Sequence, residues 1–339
     1  MRKILIGAGV VIGVIILAVA FHYAGVGDIQ NTLLEGSLFF LLIFLASSLV
    51  EFFVIALKWY YIVKSEGGSI SFKQAFSYRL MGQSLNYITP AARMGGSPWM
   101  AYLLKKHCGM RMSRGLSTVL IDRALELGVE LVLGSAFVFA IILFVPLPAE
   151  IKMFGIIFIA AAILFSGLFF IALLKDWKPL SAVFRLFARI SKHRIVQWAK
   201  EKAVKVERYM RLFFRFRKRD SLRTIGLNSF VWAFRFLEYK LALLVFGYDA
   251  SPALLFGAML IWGLAGLVPI PAALGVLEAG QMSLFVAFGA KPDIGLALAL
   301  ALRARDILFT LSGIYLMSHE GVGIVEAIKK TASNSKSEE

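Results

Sequence analysis

The sequence predicts an all-α polytopic membrane protein with about six full spans, two re-entrant helical hairpins and an inverted-topology repeat. Three observations predict this fold. Hydrophobic residues make up 59% of the 339 residues, and charged residues only 17%. Apolar stretches of about 20 residues, the length that a hydrocarbon core of about 30 Å requires, recur along the chain. Two apolar segments are interrupted in the same way, and charged residues follow each interruption.

Both interruptions contain Pro-Ala-Ala followed by a glycine. The first lies in 86–98 and the second in 267–278. Unpaired backbone polar groups are costly in lipid, so a broken helix persists only where protein or a water-filled cavity covers it. Paired Gly/Pro interruptions in two halves of a chain predict a transporter-type binding site near the membrane midplane. The residues predicted to form these breaks are Pro90, Gly95, Gly96, Pro269, Pro271 and Gly275.

The first half of the chain predicts an N-terminal span and a first repeat. Residues 1–35 form a span and an outer loop with the N-terminus inside, a cleaved signal peptide being the alternative. Residues 36–144 form the first repeat, whose first span ends at an interfacial anchor, Lys58-Trp59-Tyr60-Tyr61. Basic residues flank the hairpin on both sides, which places its entry on the cytoplasmic side. Its elements are a span at 36–63, hairpin helices at 72–85 and 99–104, and a span at 116–144.

The middle of the chain, 145–223, predicts a linking span at 153–174 and a basic cytoplasmic segment. Residues 175–223 contain sixteen Lys/Arg and four Asp/Glu and so hold most of the net charge of +16. Within this segment, 196–215 has apolar residues at three- and four-residue steps. That pattern predicts an amphipathic helix suited to the anionic lipids of the inner leaflet, with an ordinary positive-inside loop as the alternative.

The second half, 224–318, predicts a repeat of the first in the opposite orientation. A span at 224–246 leads to a hairpin with helices at 252–268 and 276–288, entered from outside. A span at 294–317 returns to the cytoplasm, and the tail 319–339 is predicted to be disordered. Span, hairpin and span thus occur twice with opposite topology, which predicts the inverted repeat.

Charged residues inside spans are the candidate functional residues, because burying a charge in a membrane is costly. Asp122 and Glu126 share a helix face, and Arg235 and Glu238 are three residues apart and can pair. The alternative is that such groups only pair with one another and hold helices together. The candidates for substrate binding are Arg93, Ser97, Asp122, Arg123, Glu126, Arg235, Glu278, Arg303, Arg305 and Asp306.

The breaks predict a site for an anion. Ser97-Pro98 and Gly275 precede the starts of two helices, and helix N-termini carry unpaired N–H groups and a partial positive charge. Arg93, Arg123 and Arg303 can add charge-assisted contacts to the same anion. The alternative is that Pro and Gly only kink packed helices.

Several classes of function are disfavoured. A single cysteine and four scattered histidines predict neither a disulfide framework nor a metal site, and no cofactor is expected. The basic segment lies between predicted spans, so nucleic acid is not expected as a partner. The sequence contains no HExxH, Walker A, GxSxG or DxD-like motif, which disfavours an enzyme.

These residues resemble the transmembrane, flippase-like region of the lysylphosphatidylglycerol synthases, the multiple peptide resistance factor family. The resemblance covers roughly 5–320 and rests on Asn86, the two breaks, the charged residues after each break and the stretch Leu274 to Ala279. Two departures stand out. The family usually has Glu where this chain has Ser97, which weakens any coupling role there. It also has Pro-Gly-Gly-Leu-Gly where this chain has Ala272 and Ala273, which should stiffen the second break.

The resemblance implies the lipid-moving part of such proteins without the soluble aminoacyl-transferring domain, as in a stand-alone member. We therefore expect a lipid translocase in the cell membrane, with both termini cytoplasmic. The substrate is an anionic or aminoacylated phospholipid or a polyprenyl-phosphate lipid, bound between the two hairpins. The alternative is a membrane enzyme, or the subunit of a lipid-modifying enzyme, that acts on a lipid-linked sugar or acyl carrier.

Overall fold

All regular elements in the described part of the chain are helical, which confirms the predicted all-α class. The computed structural model describes residues 18–19, 22, 35–89, 95–144, 149–175, 177, 181–182, 194–266, 268 and 270–320. Its main helices are α1 (Leu38–Ser65), α2 (Phe72–Ile88), α3 (Ser97–Cys108), α4 (Met112–Phe144), α5 (Ala149–Leu174), α6 (Arg194–Phe216), α7 (Lys218–Val245), α8 (Pro252–Ala265), α9 (Val276–Ala287) and α10 (Pro292–His319), with a 3-10 turn at Pro271–Ala273 between α8 and α9.

Local sequence signals explain several helix ends. Ser71 caps α2: its hydroxyl accepts from the Gln74 backbone N–H at 3.2 Å, and its own N–H donates to the Gln74 side chain at 2.9 Å. Ser251 caps α8 and Pro252 follows in the first turn. Gly67 follows α1 with a positive φ of 76°, a conformation that glycine adopts without a steric penalty.

Few of these helices are uniformly apolar. In the described residues, α1 alone is long and apolar enough to cross a bilayer by length and composition, and shorter apolar helical stretches lie at Gly155–Phe169, Pro252–Ala265 and Pro271–Ala287. α4 and α10 have 33 and 28 residues, long enough for a span of about 20, but charged residues interrupt their apolar sequence. The span count and the re-entrant paths remain predictions.

The chain packs as two compact units. The described residues within 1–53, 79–97 and 231–320 form the first unit, and those within 54–78 and 98–230 form the second. Each unit has its own apolar core, as burial of apolar surface requires. Phe44, Tyr239, Phe285 and Leu302 are among the buried residues of the first core. Ile62, Ile121, Met210 and Phe213 are among those of the second.

In the first unit, α10 lies very close to two other helices. A Cβ placed on Gly295 would be 2.8 Å from the Gln281 carbonyl oxygen in α9. One placed on Gly313 would be 2.5 Å from the Leu80 carbonyl oxygen in α2. Because glycine has no Cβ, the backbone of α10 can contact the backbone of α2, the helix before the first break. It can likewise contact the backbone of α9, the helix after the second break.

The helix α6 corrects one part of the amphipathic prediction. The helix is present, but the buried residues Val206, Met210 and Phe213 on its apolar face belong to the core of the second unit. Lys205 and Arg208 are exposed on the other side. These apolar residues pack against protein, and the attraction of this helix to an anionic leaflet remains a prediction.

Replacing Gly96 by alanine should destabilise the protein by about 1–3 kcal/mol, because it overpacks a backbone contact. A Cβ there would be 2.0 Å from the Gly82 carbonyl oxygen, and backbone cannot swing aside as a side chain can. The measurement is thermal unfolding in detergent. Gly263→Ala in α8 is the control, because no described atom lies within 4 Å of its Cβ position. Equal melting temperatures for the two variants would contradict this account of the first break.

Candidate functional site

Arg303 lies in α10 and contacts both the turn of the second break and the helix that follows it. Its Nε and Nη2 donate to the two carboxylate oxygens of Glu278, the Nη2 contact being 2.8 Å. Its guanidinium also donates to the carbonyls of Ala272 at 3.0 Å and Ala273 at 3.2 Å. Glu278 is fully buried and Arg303 is 8% exposed. This bidentate pair is the strongest type of side-chain contact and fixes the geometry of the break.

The backbone of the second break is strained. Ala272 has φ 53° and ψ 14°, and Ala273 has φ 50°, both in the left-handed region. This conformation costs about 1–2 kcal/mol per residue for an amino acid with a Cβ. Gly275, with φ 77°, adopts its conformation without that cost. The two alanines occupy the positions where the resembled family carries glycine, and the hydrogen bonds from Arg303 hold them there.

The first break is described on both sides. Helix α2 ends at Ile88, and the Gly96 N–H before α3 donates to Asn86 Oδ1 at 2.8 Å. Ser97 begins α3, two residues earlier than predicted, and its buried hydroxyl has no partner among the described residues. The predicted site residue Arg93 and the predicted break residues Pro90 and Pro269 lie outside the described residues.

A small cavity lies between the end of α2, the strained turn and α10. Its volume is about 40 Å³, which suits a few water molecules at about 10–15 Å³ each. Its polar lining comes mainly from Asn86, Tyr87, Arg303 and Asp306, and the Tyr87 hydroxyl accepts from Arg303 at 3.4 Å. The cavity therefore brings two predicted site residues, Arg303 and Asp306, together with groups next to both breaks.

A second charged cluster in the first unit stands beside this pair. Arg305 donates to Glu238 at 2.5 Å and to Asp306 at 2.8 Å. Glu238 also accepts from the Ser48 hydroxyl. Arg235, which the sequence suggested could pair with Glu238, donates to Glu51 at 3.0 Å and lies over the Trp262 ring.

The remaining predicted site residues belong to the second unit. Asp122 forms an ion pair with Lys58 at 2.9 Å, and their side chains are 0% and 1% exposed. Lys58 also donates to Asn228 at 2.6 Å. Arg123 pairs with Glu126 at 2.7 Å, three residues along α4, and is less buried. Asp122, Arg123 and Glu126 thus lie in a different unit from Arg303.

The predicted interfacial anchor at Lys58 is wrong. A lysine at an interface places its ammonium in water, whereas this one is buried against Asp122 and Asn228. Trp59 beside it is fully buried as well. The periodic acids of α4 signalled a buried partner, but nothing in the local sequence of α1 distinguished Lys58 from a residue at the end of a span.

Most residues of the cavity lining were missed as site candidates, among them Gln83, Tyr87 and Trp262. Tyr87 directly follows Asn86 at the first break, so its position next to the interruption was a usable signal. Trp262 lies in α8, before the second break, where an aromatic residue in apolar sequence suggests core packing.

The described part of the chain is helical and buries arginine–carboxylate pairs in the unit that contains both breaks. The chain belongs to the family described as the lysylphosphatidylglycerol synthase TM region, whose model matches residues 5–313. This confirms the family resemblance and supports a location in a membrane.

Archaeal membrane proteins are similar to the chain along most of its length. A UPF0104 membrane protein of Methanothermobacter thermautotrophicus is 23% identical over 329 residues, 93% of each chain. A UPF0104 membrane protein of Pyrococcus horikoshii is 26% identical, covering 94% of this chain and 98% of its own. One from Methanocaldococcus jannaschii is 25% identical, covering 91% and 92%. No solved structure matches the chain.

Proposed function

We propose that the protein moves a membrane lipid with an anionic or aminoacylated phosphate headgroup between leaflets. The headgroup binds at the cavity around Arg303, with its phosphate on the guanidinium. The lipid is a phospholipid or a polyprenyl-phosphate lipid, which share this phosphate chemistry. Family membership supports a lipid-related role in a membrane.

The observation that carries this proposal is the position of Arg303. It is a buried cation on α10 that reaches the turn of the second break and, through Tyr87, the helix before the first break. Intramembrane charges normally mark substrate pathways, and a guanidinium binds phosphate with the same bidentate geometry as carboxylate. Glu278 therefore occupies the position that a phosphate would take.

The cavity is too small for a lipid headgroup in this structure. Its volume is about 40 Å³. Arg303 binds Glu278 and the carbonyls of Ala272 and Ala273. A phosphate that competes with Glu278 for Arg303 releases these contacts and lets the strained turn relax. Headgroup binding and opening of the break are then a single event, since strain at a switching segment is held only by surrounding contacts.

Asp306 supports the choice of headgroup. This carboxylate lines the same cavity as Arg303, and Arg305 donates to it at 3.1 and 2.8 Å. A phosphate on Arg303 places the rest of the headgroup near this acid. An ammonium, as in an aminoacylated phospholipid, suits that position better than a second anion does.

The wider arrangement in the membrane also belongs to this proposal. The two hairpins enter from opposite leaflets as an inverted repeat, and the headgroup site lies where their breaks meet. The basic face of α6, with Lys205 and Arg208, lies against the anionic inner leaflet. Transport by a site between repeats needs each leaflet to gain access in turn.

The test is lipid exchange in proteoliposomes that contain fluorescent phosphatidylglycerol, with a membrane-impermeant quencher reporting the outer leaflet. We expect the protein to accelerate exchange over protein-free vesicles and Arg303→Gln to slow it by about one to two decades, the loss of one charge-assisted contact. Lys240→Gln is the control, because it removes a cation of the first unit whose partner, Asp249, is exposed. The proposal would be overturned if Arg303→Gln exchanged lipid at the wild-type rate. It would also be overturned if the unchanged protein exchanged lipid no faster than protein-free vesicles.

A further inference from the structure

A large apolar groove lies in the second unit and shares no lining residue with the Arg303 cavity. Its volume is about 640 Å³, and α4, α5, α6 and α7 contribute to it. Ligand pockets usually measure about 300–1,000 Å³. Leu125, Val132, Phe214 and Ile225 provide apolar walls. The groove therefore has the size and surface of a site for a hydrocarbon chain.

Glycines create part of the space. Gly128 in α4 and Gly167 in α5 both line the groove. No described atom lies within 4 Å of a Cβ placed on Gly167, so the helices do not need a glycine there for close packing. A glycine within a helix costs about 0.5–1 kcal/mol relative to alanine. The absence of a side chain at Gly167 leaves open volume in the groove.

One end of the groove is basic. Lys218, at the start of α7, lines it and is exposed, and Arg215 and Arg219 next to it are exposed as well. Asp220 is the one acid in the first turn of this helix. The remaining lining is apolar apart from serine hydroxyls, so the groove combines a long apolar surface with a cation at one end.

We propose that the groove holds an acyl chain of an anionic phospholipid, whose phosphate lies at Lys218. This lipid is a resident of the second unit and is distinct from the transported lipid, so the proposal does not rest on transport. An apolar surface with one basic end complements an amphipathic anion, and a chain of that kind is available throughout a membrane.

The test counts phospholipid retained by the full-length protein in native mass spectrometry after extensive detergent exchange. Each variant is compared with the unchanged protein, and the difference in count reports the groove, because none of the changed residues lines the headgroup cavity. Phosphatidylglycerol and phosphatidylcholine with the same acyl chains are the added probes. We expect the protein with Gly167 unchanged to retain phosphatidylglycerol. Gly167→Leu, which fills the groove, should retain at least tenfold less of it. Gly226→Leu is the matched control, because it also meets no described atom within 4 Å and lies outside the groove lining.

Lys218→Gln tests the contact with the lipid phosphate separately from the binding of the acyl chain. This exposed residue can be changed without disturbing the core, and its loss should abolish the preference for phosphatidylglycerol over phosphatidylcholine. Equal retention by Gly167→Leu and Gly226→Leu would overturn the acyl-chain site. Equal retention of phosphatidylglycerol and phosphatidylcholine by the protein with Lys218 unchanged would overturn the proposed preference for an anionic headgroup.

Discussion

Glu278→Gln should destabilise the protein by about 3–5 kcal/mol, because it leaves the buried guanidinium of Arg303 without its counter-charge. The two groups are 0% and 9% exposed at their side chains. The neutral amide keeps the volume of the carboxylate, so packing is preserved and the effect is electrostatic. The same change removes the group that competes with a phosphate for Arg303. We therefore expect the variant to bind phosphatidylglycerol more tightly than the unchanged protein does.

The measurement is the melting temperature in detergent with and without added phosphatidylglycerol. Glu278→Gln should melt far below the unchanged protein without lipid and recover much of the difference with it, since a ligand of the folded state stabilises by mass action. Arg303→Gln should also melt early, but lipid should not rescue it, because the cation is gone. Phosphatidylcholine provides the control for nonspecific lipid effects. Equal rescue of both variants would show that Arg303 and Glu278 pair only to hold the helices together.

Lys58→Met should have an effect of similar size, about 3–5 kcal/mol, because it removes the ammonium that pairs with the buried carboxylate of Asp122. Asp122 is fully buried and lies 2.9 Å from the Lys58 ammonium. Methionine keeps the length and apolar character of the lysine stem, so the loss is mainly the loss of charge. The converse change, Asp122→Leu, leaves the ammonium unpaired and should be comparably harmful.

The double variant Lys58→Met, Asp122→Leu decides between a structural and a functional role for this pair. A buried ion pair replaced on both sides by apolar residues is often neutral or stabilising. We expect the double variant to recover most of the melting temperature lost by either single change. If lipid exchange stays low in the recovered protein, the pair serves transport as well as folding. Strictly additive losses in melting temperature would contradict the direct ion pair.

The sequence predicted the positions of the helices better than it predicted what each helix packs against. Apolar length, prolines and glycines located α8 and α9 on the two sides of the second break, because these signals are local. Helix α6 was found for the same reason, yet its apolar face was assigned to a membrane surface. Amphipathic periodicity shows that a face is buried and does not show what buries it.

Pairing and backbone strain could not be predicted from local signals. Lys58 and its partner Asn228 are 170 residues apart in the chain, so only the folded chain shows that they meet. Ala272 and Ala273 are left-handed although alanine disfavours that region, and the contacts of Arg303 with their carbonyls help to hold them there. The resemblance did mark these two positions, through the glycines that the family usually carries there.

The close approach of α10 to two other helices, at Gly295 and at Gly313, couples the positions of those helices to its own. Gly313 meets the Leu80 carbonyl, and Ser84 of α2 donates to the Thr310 carbonyl at 2.9 Å. Gly295 meets the backbone of α9 near the other end. Contacts between backbones leave no side chain to absorb a displacement, so a shift of α9 turns or slides α10 and is passed to α2. In the proposed transport cycle, opening one break then imposes a movement on the other, and a lipid that enters from one leaflet excludes entry from the opposite one.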